Sequence, residues 1–484
     1  MIQLKDINFS YRKDEDKILK NMDLDIKSGE AIAFIGSSGC GKTTLTRIIN
    51  GLAYKFYNGY LQGEISIDSI NPLEKELYEI GRKVGSIFQN PKSQFFAEIV
   101  EDEVAFGLEN YGIEREEILK RIPMALESIH GQMLRDCNLF HLSSGERQKV
   151  AIASINALNP PIYVFDEPSA NLDMRSVEAL RKLMISLKNQ GKTMIISEHR
   201  IYYLKEIVDR YYYIQNGKIT HSYTKKDLIN MSEYDYRGLG LRSFDLDIIS
   251  PKFSPYESKN QLTVQDLSFS YKNKKIFNDL SYSFLGGKVY GLIGENGVGK
   301  STFAKVLAGI LKENSGEVFH NGEKLKKRKR KDDIYFLSNN PDNNLFEISP
   351  EEELKLNDPN VDEKKVLKRF HLENSSGIHP QILSGGQKQR LTIAAAELLN
   401  REVYILDEPT SGLDGENMIM ISNEMRRLQK MGKVIIIISH DYEFLMNSCD
   451  VILSLYKNAL KEWSPSEDRK KILRILKGDE STRC

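Results

Sequence analysis

Short runs of almost wholly apolar residues recur along the chain at 31–35, 162–165 and 194–196, and again at 289–293, 403–406 and 434–438. Between them lie longer stretches in which apolar and polar positions mix as they do along amphipathic helices. Apolar runs of this length, rich in Ile, Val, Phe and Tyr, suit strands covered on both faces. Their alternation with helical segments predicts an α/β fold, a mostly parallel sheet flanked by helices.

The pattern occurs twice. Phe9-Ser10-Tyr11 returns as Phe269-Ser270-Tyr271, and Gly41-Lys42-Thr43 returns as Gly299-Lys300-Ser301, at offsets of 260 and 258. Further on, Leu142-Ser143 returns as Leu383-Ser384, Asp166-Glu167-Pro168 as Asp407-Glu408-Pro409 and His199 as His440, all at an offset of 241. A chain of 484 residues exceeds what one hydrophobic core supports. Two domains are therefore expected, at 1–230 and 261–465. A connection at 231–260, with Pro251 and Pro255, and a tail at 466–484 complete the division.

Composition narrows the partners. Lys plus Arg equals Asp plus Glu at 68 each, so no global field draws the chain to nucleic acid. Cys40, Cys137, Cys449 and Cys484 lie too far apart for a zinc knuckle or an iron–sulfur cluster and read as reduced thiols. The N-terminal residues lack the apolar stretch of a secretory signal, and no run approaches the ~18 apolar residues of a membrane span. Work at a membrane would require a separate spanning protein.

Phosphate chemistry is written into both copies. Gly36-Ser37-Ser38-Gly39-Cys40-Gly41-Lys42-Thr43 follows an apolar run and precedes a helical one, and Gly294-Glu295-Asn296-Gly297-Val298-Gly299-Lys300-Ser301 repeats it. Glycines let backbone N–H groups converge on phosphate oxygens. The helix N-terminus adds its positive end, the lysine reaches the outer phosphates, and the hydroxyl of Thr43 or Ser301 holds Mg²⁺. Thr44 and Thr302, next along each helix, join the candidate nucleotide-binding set. A chance glycine turn explains one such match poorly and two not at all.

Each copy also ends an apolar run in two acids, Asp166-Glu167 and Asp407-Glu408. The first acid of each pair is placed to orient Mg²⁺ and the second to polarise an attacking water. Tyr11 and Tyr271 offer aromatic faces for adenine, and His199 and His440, which close apolar runs, can bond a terminal phosphate. Each tyrosine or histidine alone reads more simply as packing; repetition favours the site.

With Leu142-Ser143-Ser144-Gly145-Glu146 and Leu383-Ser384-Gly385-Gly386-Gln387 at matching places, the chain resembles the ATP-binding cassette family over almost all of both halves. That resemblance implies two P-loop cassettes, each with a helical subdomain, that bind ATP and Mg²⁺. It adds Ser143, Gly145, Ser384, Gly385, Gly386 and Gln387 to the nucleotide contacts and Gln89 to the magnesium set. In this family two cassettes face each other head to tail, so each ATP is held by one phosphate loop and the other cassette's signature.

Phe88-Gln89-Asn90-Pro91, Phe95-Phe96-Ala97-Glu98 and Val104-Ala105-Phe106-Gly107 look more narrowly like ATPases of energy-coupling-factor importers. Those take up vitamins, vitamin precursors or transition metals. This implies a peripheral protein on the cytoplasmic side of the cell membrane, bound to a transmembrane coupling or permease protein and a substrate-binding membrane subunit, with no nucleic acid. The alternative is a soluble duplicated-cassette ATPase acting on the ribosome. Such factors typically carry a long charged helical linker, whereas the connection here is short and contains prolines.

The two copies are not equivalent. From phosphate loop to signature the second is 17 residues shorter, since the offset falls from 258 to 241. Part of that loss lies between Gln89 and Ser143, where the resemblance places the partner-facing helices. Asn339 stands where Gln89 does, one methylene shorter, while Ser144 and Glu146 replace a glycine and a glutamine of the second signature. Head-to-tail pairing would place all three departures on the site of Lys300, Asp407 and Glu408. The run Lys324-Leu325-Lys326-Lys327-Arg328-Lys329-Arg330-Lys331 reads as a solvated face with the option of meeting anionic lipid.

Overall fold

A computed structural model describes residues 1–252, 255–272, 274–456 and 459–478. It divides into two compact units, Met1–Leu246 with Asp414–Glu416, and Asp247–Leu413 with Asn417–Cys484.

In the first unit a six-stranded sheet runs Val84–Ile87, Ile162–Asp166, Thr193–Ser197, Ala31–Ile35, Arg210–Gln215, Lys218–Tyr223. The first five strands are parallel and the last is antiparallel. Every residue of Ala31–Ile35 and Thr193–Ser197 is buried, which is why these strands read as unbroken apolar runs. A second sheet, Leu19–Ile26, Ile2–Ser10 and Tyr60–Ile67, is antiparallel. Along Leu19–Ile26 buried and exposed positions largely alternate, so one face meets the core and the other meets water. The helix Lys42–Ile49 contributes Leu45, Ile48 and Ile49 to the core that joins Ile2, Leu4 and Phe9 to Ile32, Phe34, Val164 and Ile195.

The second unit repeats this plan. Its sheet runs Ile334–Leu337, Val403–Asp407, Val434–Ile438, Lys288–Ile293, Val451–Tyr456, Ala459–Trp463, again with only the last strand antiparallel. An antiparallel sheet of Lys274–Leu285, Gln261–Tyr271, Ser315–His320 and Glu323–Lys324 lies beside it. The helix Lys300–Leu307 packs Phe303, Val306 and Leu307 into the shared core. All six apolar runs are strands, so the α/β expectation of two P-loop cassettes holds.

The helical subdomains differ in size. Val100–Asn110 and Arg115–Ser128 have 11 and 14 residues, whereas Pro350–Asn357 and Glu363–Arg369 have 8 and 7. The signature helices Ser144–Leu158 and Gly385–Leu398 are nearly equal at 15 and 14 residues. Between 224 and 240 the chain forms Lys225–Ile229 and Glu233–Gly238, opened by reciprocal caps of Thr224 with Asp227 and Ser232 with Asp235. Cys40, Cys137 and Cys449 are free thiols, and Cys484 lies outside the described residues. Among the described residues no helix is long and apolar enough to cross a membrane.

Candidate active site

The strand Ala31–Ile35 delivers the chain into the first phosphate loop, and the helix Lys42–Ile49 leaves it. Gly36 has φ +147°, and a Cβ there would lie 2.3 Å from the Ile214 carbonyl oxygen and 2.9 Å from Cys40 Sγ. Gly41 enters the helix at φ 109°, a conformation side chains resist. The Lys42 ammonium is thereby folded across its own loop, donating to the carbonyls of Gly36 at 2.9 Å and Ser37 at 3.0 Å. The second loop matches it. Lys300 donates to Gly294 at 2.8 Å and Glu295 at 3.0 Å, and Gly299 opens its helix at φ 110°.

At the end of Ile162–Asp166, Asp166 Oδ1 accepts from Thr43 Oγ1 at 3.0 Å. Burial and the neighbouring Glu167 charge push its carboxyl up to about 6, against hydrogen bonds to Thr43 and Ser197 that favour the ionised form. Asp407 is likewise raised by burial, with a hydrogen bond to Ser301 and the charge of Lys300 opposing. A hydroxyl and a carboxylate oxygen at hydrogen-bond distance form the hard oxygen pair that Mg²⁺ takes while keeping substrate phosphates and water as its other ligands. The donor set fits that ion in both cassettes.

Glu167 and Glu408 both sit in the left-handed region, at φ 46° and 53°. Such a backbone costs on the order of 1–3 kcal/mol and persists only where its surroundings impose it. Here the Glu167 N–H donates to the Ser197 carbonyl and the Glu408 N–H to Ile438, each at 2.8 Å, fixing the turn after the strand. The Glu167 carboxylate accepts from Gln89 Nε2 at 2.7 Å and stands 3.3 Å from His199 Nε2. Burial works against its charge, but His199 and Lys42 outweigh it and hold the carboxyl below its ordinary value. In the second unit His440 Nε2 is 3.9 Å from Glu408, which accepts from Ser439 Oγ at 3.3 Å.

Both signatures begin in a capping box. Ser143 Oγ accepts from the Glu146 N–H at 3.3 Å, and the Glu146 carboxylate accepts from the Ser143 N–H and hydroxyl, both at 2.8 Å. In the second unit Gln387 Oε1 accepts from the Ser384 N–H at 2.9 Å, while its amide donates to Ser375. The Glu146 carboxylate therefore turns back onto its own helix end and engages the signature hydroxyl. A Cβ on Gly145 would lie 2.4 Å from Ser176 Oγ, so that glycine serves packing. A Cβ on Gly385 meets nothing within 4 Å, so glycine there is not required by the fold, and Ser144 is tolerated at the equivalent place.

The tyrosines differ as well. Tyr11 is half-buried, edge-on to Phe9 and Tyr57, and its hydroxyl accepts from Arg47 at 3.1 Å. Tyr271 is 47% exposed and touches Phe269 edge-on.

Sequence reasoning missed Glu198. This buried carboxylate accepts from the N–H groups of Ser169, His199 and Arg200 and from the Tyr203 hydroxyl at 2.8 Å, pinning the turn that carries His199. In the second unit Ser439 stands in Glu198's place and Asp441 performs the task two residues later, accepting from Thr410 at 3.2 Å and capping the helix Tyr442–Ser448. Also missed were Glu103 and Glu353. Each is buried and accepts two backbone N–H groups at 2.8 and 2.9 Å, from Phe96 and Ala97 and from Phe346 and Glu347. These bonds fix the loops on which Phe96 and Phe346 stand 75% exposed.

Two complete phosphate loops, each facing a strand-end acid pair and a histidine, define a duplicated cassette ATPase. Residues 19–170 and 277–411 match the family model described as ABC transporter. A Treponema denticola protein provisionally named an ABC transporter ATP-binding protein is 38% identical, over 94% of this chain and 95% of its own. The chain belongs to the ABC transporter family. It is also 29% identical to the Bacillus subtilis protein provisionally named HMP/thiamine import ATP-binding protein YkoD, over 96% of this chain and 92% of that one. A chain in a model of ribosome-bound archaeal Pelota and ABCE1 superposes with TM-score 0.71 at 21% identity, over 97% of this chain and 80% of that one; this likeness concerns fold alone.

Proposed function

We propose that this chain is the ATP-hydrolysing subunit that energises solute transport by a separate transmembrane protein, with uptake of a vitamin, vitamin precursor or metal ion as its work. The observation that carries the reading is duplication of a whole reaction set: Lys42, Thr43, Asp166, Glu167 and His199 in one cassette, Lys300, Ser301, Asp407, Glu408 and His440 in the other. When bound, Mg²⁺ supplies charge compensation on the outer phosphates. Thr43 with Asp166, and Ser301 with Asp407, would hold it, joined in the first cassette by Gln89.

Glu167, ionised through His199 and Lys42, orients the attacking water and takes its proton. Lys42 exchanges its loop carbonyls for phosphate oxygens, and His199 bonds the terminal phosphate. Tyr11 and Tyr271 lie against adenine. The exposed Phe96 and Phe346, on loops held by Glu103 and Glu353, dock on a transmembrane coupling or permease protein at the cytoplasmic side of the membrane. A substrate-binding membrane subunit completes the assembly, and the energy-coupling-factor class is the type proposed. The thiamine-import name of the Bacillus subtilis relative supports that cargo class.

Purification of the chain from solubilised membranes, followed by identification of what accompanies it, tests the reading. A polytopic membrane protein is expected. Recovery with ribosomes and without any membrane protein would overturn it in favour of the ribosome-acting alternative.

A further inference from the structure

Residues 324–333 carry seven basic and two acidic side chains, whereas the equivalent stretch of the first cassette, 74–83, balances three of each. The fold shows how this excess is displayed. Arg330 is almost fully buried, its guanidinium donating to both Glu313 oxygens and to the Val306 carbonyl at 2.8 Å. In the first cassette buried Ile80 holds the matching place, packed against Gly51 as Arg330 is against Gly309. The segment Lys327–Asp333 is thus anchored by one of its own cations. Lys326, Arg328, Lys329 and Lys331 are exposed and have no carboxylate within ion-pair distance among the described residues. Lys324 is paired to Glu317, and Asp332 is exposed nearby. Beside this patch, next to Gly309, Ile310 is 55% exposed.

Unpaired like charges held together repel one another, and such a surface gains most from a polyanion that neutralises several at once. An exposed aliphatic side chain at its edge matches the boundary between headgroups and acyl chains. Residues 321–333 contain no aromatic side chain on which a base could stack. We propose that this patch of the second cassette binds anionic phospholipid headgroups, holding the chain against the membrane in addition to its protein partner. The proposal rests on the transport reading above.

The full-length chain is tested by co-sedimentation with phosphatidylcholine vesicles with and without about one quarter phosphatidylglycerol. The expected result is binding to the anionic vesicles only, weakened by salt. The quadruple variant K326Q/R328Q/K329Q/K331Q, which keeps Arg330, should lower that binding by about tenfold or more. The half variants K326Q/R328Q and K329Q/K331Q should each lose part of it, which excludes misfolding as the cause. K75Q/R82Q in the first cassette should leave it unchanged. Equal binding of wild type to both vesicle types, or of the quadruple variant and wild type to anionic vesicles, would overturn the proposal. So would preferential capture of the chain by a single-stranded RNA oligonucleotide added in competition. ATP turnover and co-purification with a membrane protein should be unaffected by these substitutions, so lipid binding can fail while the transport reading stands.

Discussion

The two cassettes share a fold and a reaction set, yet they close the set differently. In the first, Glu167 is gripped by Gln89 at 2.7 Å and approached by His199 at 3.3 Å. In the second, His440 is 3.9 Å from Glu408 and the residue in Gln89's place is Asn339. The signatures differ in the opposite sense. Glu146 draws the Ser143 hydroxyl into an ionic cap, whereas Gln387 caps Ser384 through a neutral amide. If each site combines one cassette's loop with the other's signature, both handicaps fall on the site of Lys300 and Glu408. On that pairing, duplication preserves the scaffold while side chains at a few positions are expected to make the two sites unequal.

The comparison breaks most visibly when both carboxylates are removed. E167Q/E408Q should retain ATP binding and lose turnover by ~10³-fold or more, since no group remains to accept the water's proton. Phosphate release with equilibrium nucleotide binding reads both quantities. Singly, E167Q should lower steady-state ATPase much more than E408Q, with a gap on the order of tenfold, about 1.4 kcal/mol of barrier. Equal losses in the assembled membrane complex would remove the inequality while leaving the ATPase assignment.

Docking offers a third break. The helices behind Phe96 are 11 and 14 residues long and those behind Phe346 only 8 and 7. F95A/F96A should therefore weaken partner binding several-fold more than L345A/F346A, as measured by retention on the solubilised partner; equal weakening would end that part of the account. The last effect concerns stability and leaves the chemistry in place. Y203F deletes a 2.8 Å hydrogen bond to the buried Glu198 carboxylate and should cost about 1.5–3 kcal/mol, read from denaturant midpoints. T410V, which removes a 3.2 Å bond to Asp441, should cost less.

The parallel strands were legible because full burial leaves unbroken apolar runs: 31–35 appears as Ala31–Ile35 and 434–438 as Val434–Ile438. The phosphate loops were legible because their glycines recur at fixed spacing with a positive φ that side chains resist, as at Gly36, Gly41, Gly294 and Gly299. Glu198 was not, since its partners include Ser169, 29 residues away, and its role exists only when a loop returns. Glu103 resembles any solvated acid in the first turn of Val100–Asn110 until two folded-back N–H groups claim it. Glu146 is a related case: sequence gives a charge but not its direction, and the helix N-terminus supplies partners that turn it inward.

The most direct test of the central claim is the ATPase rate of the purified chain with its co-purified membrane protein in vesicles, set beside the rate with purified ribosomes. The membrane protein is expected to stimulate hydrolysis, uptake of its solute to follow ATP consumption, and E167Q/E408Q to abolish both. Stimulation by ribosomes, with no response to the membrane protein, would contradict it.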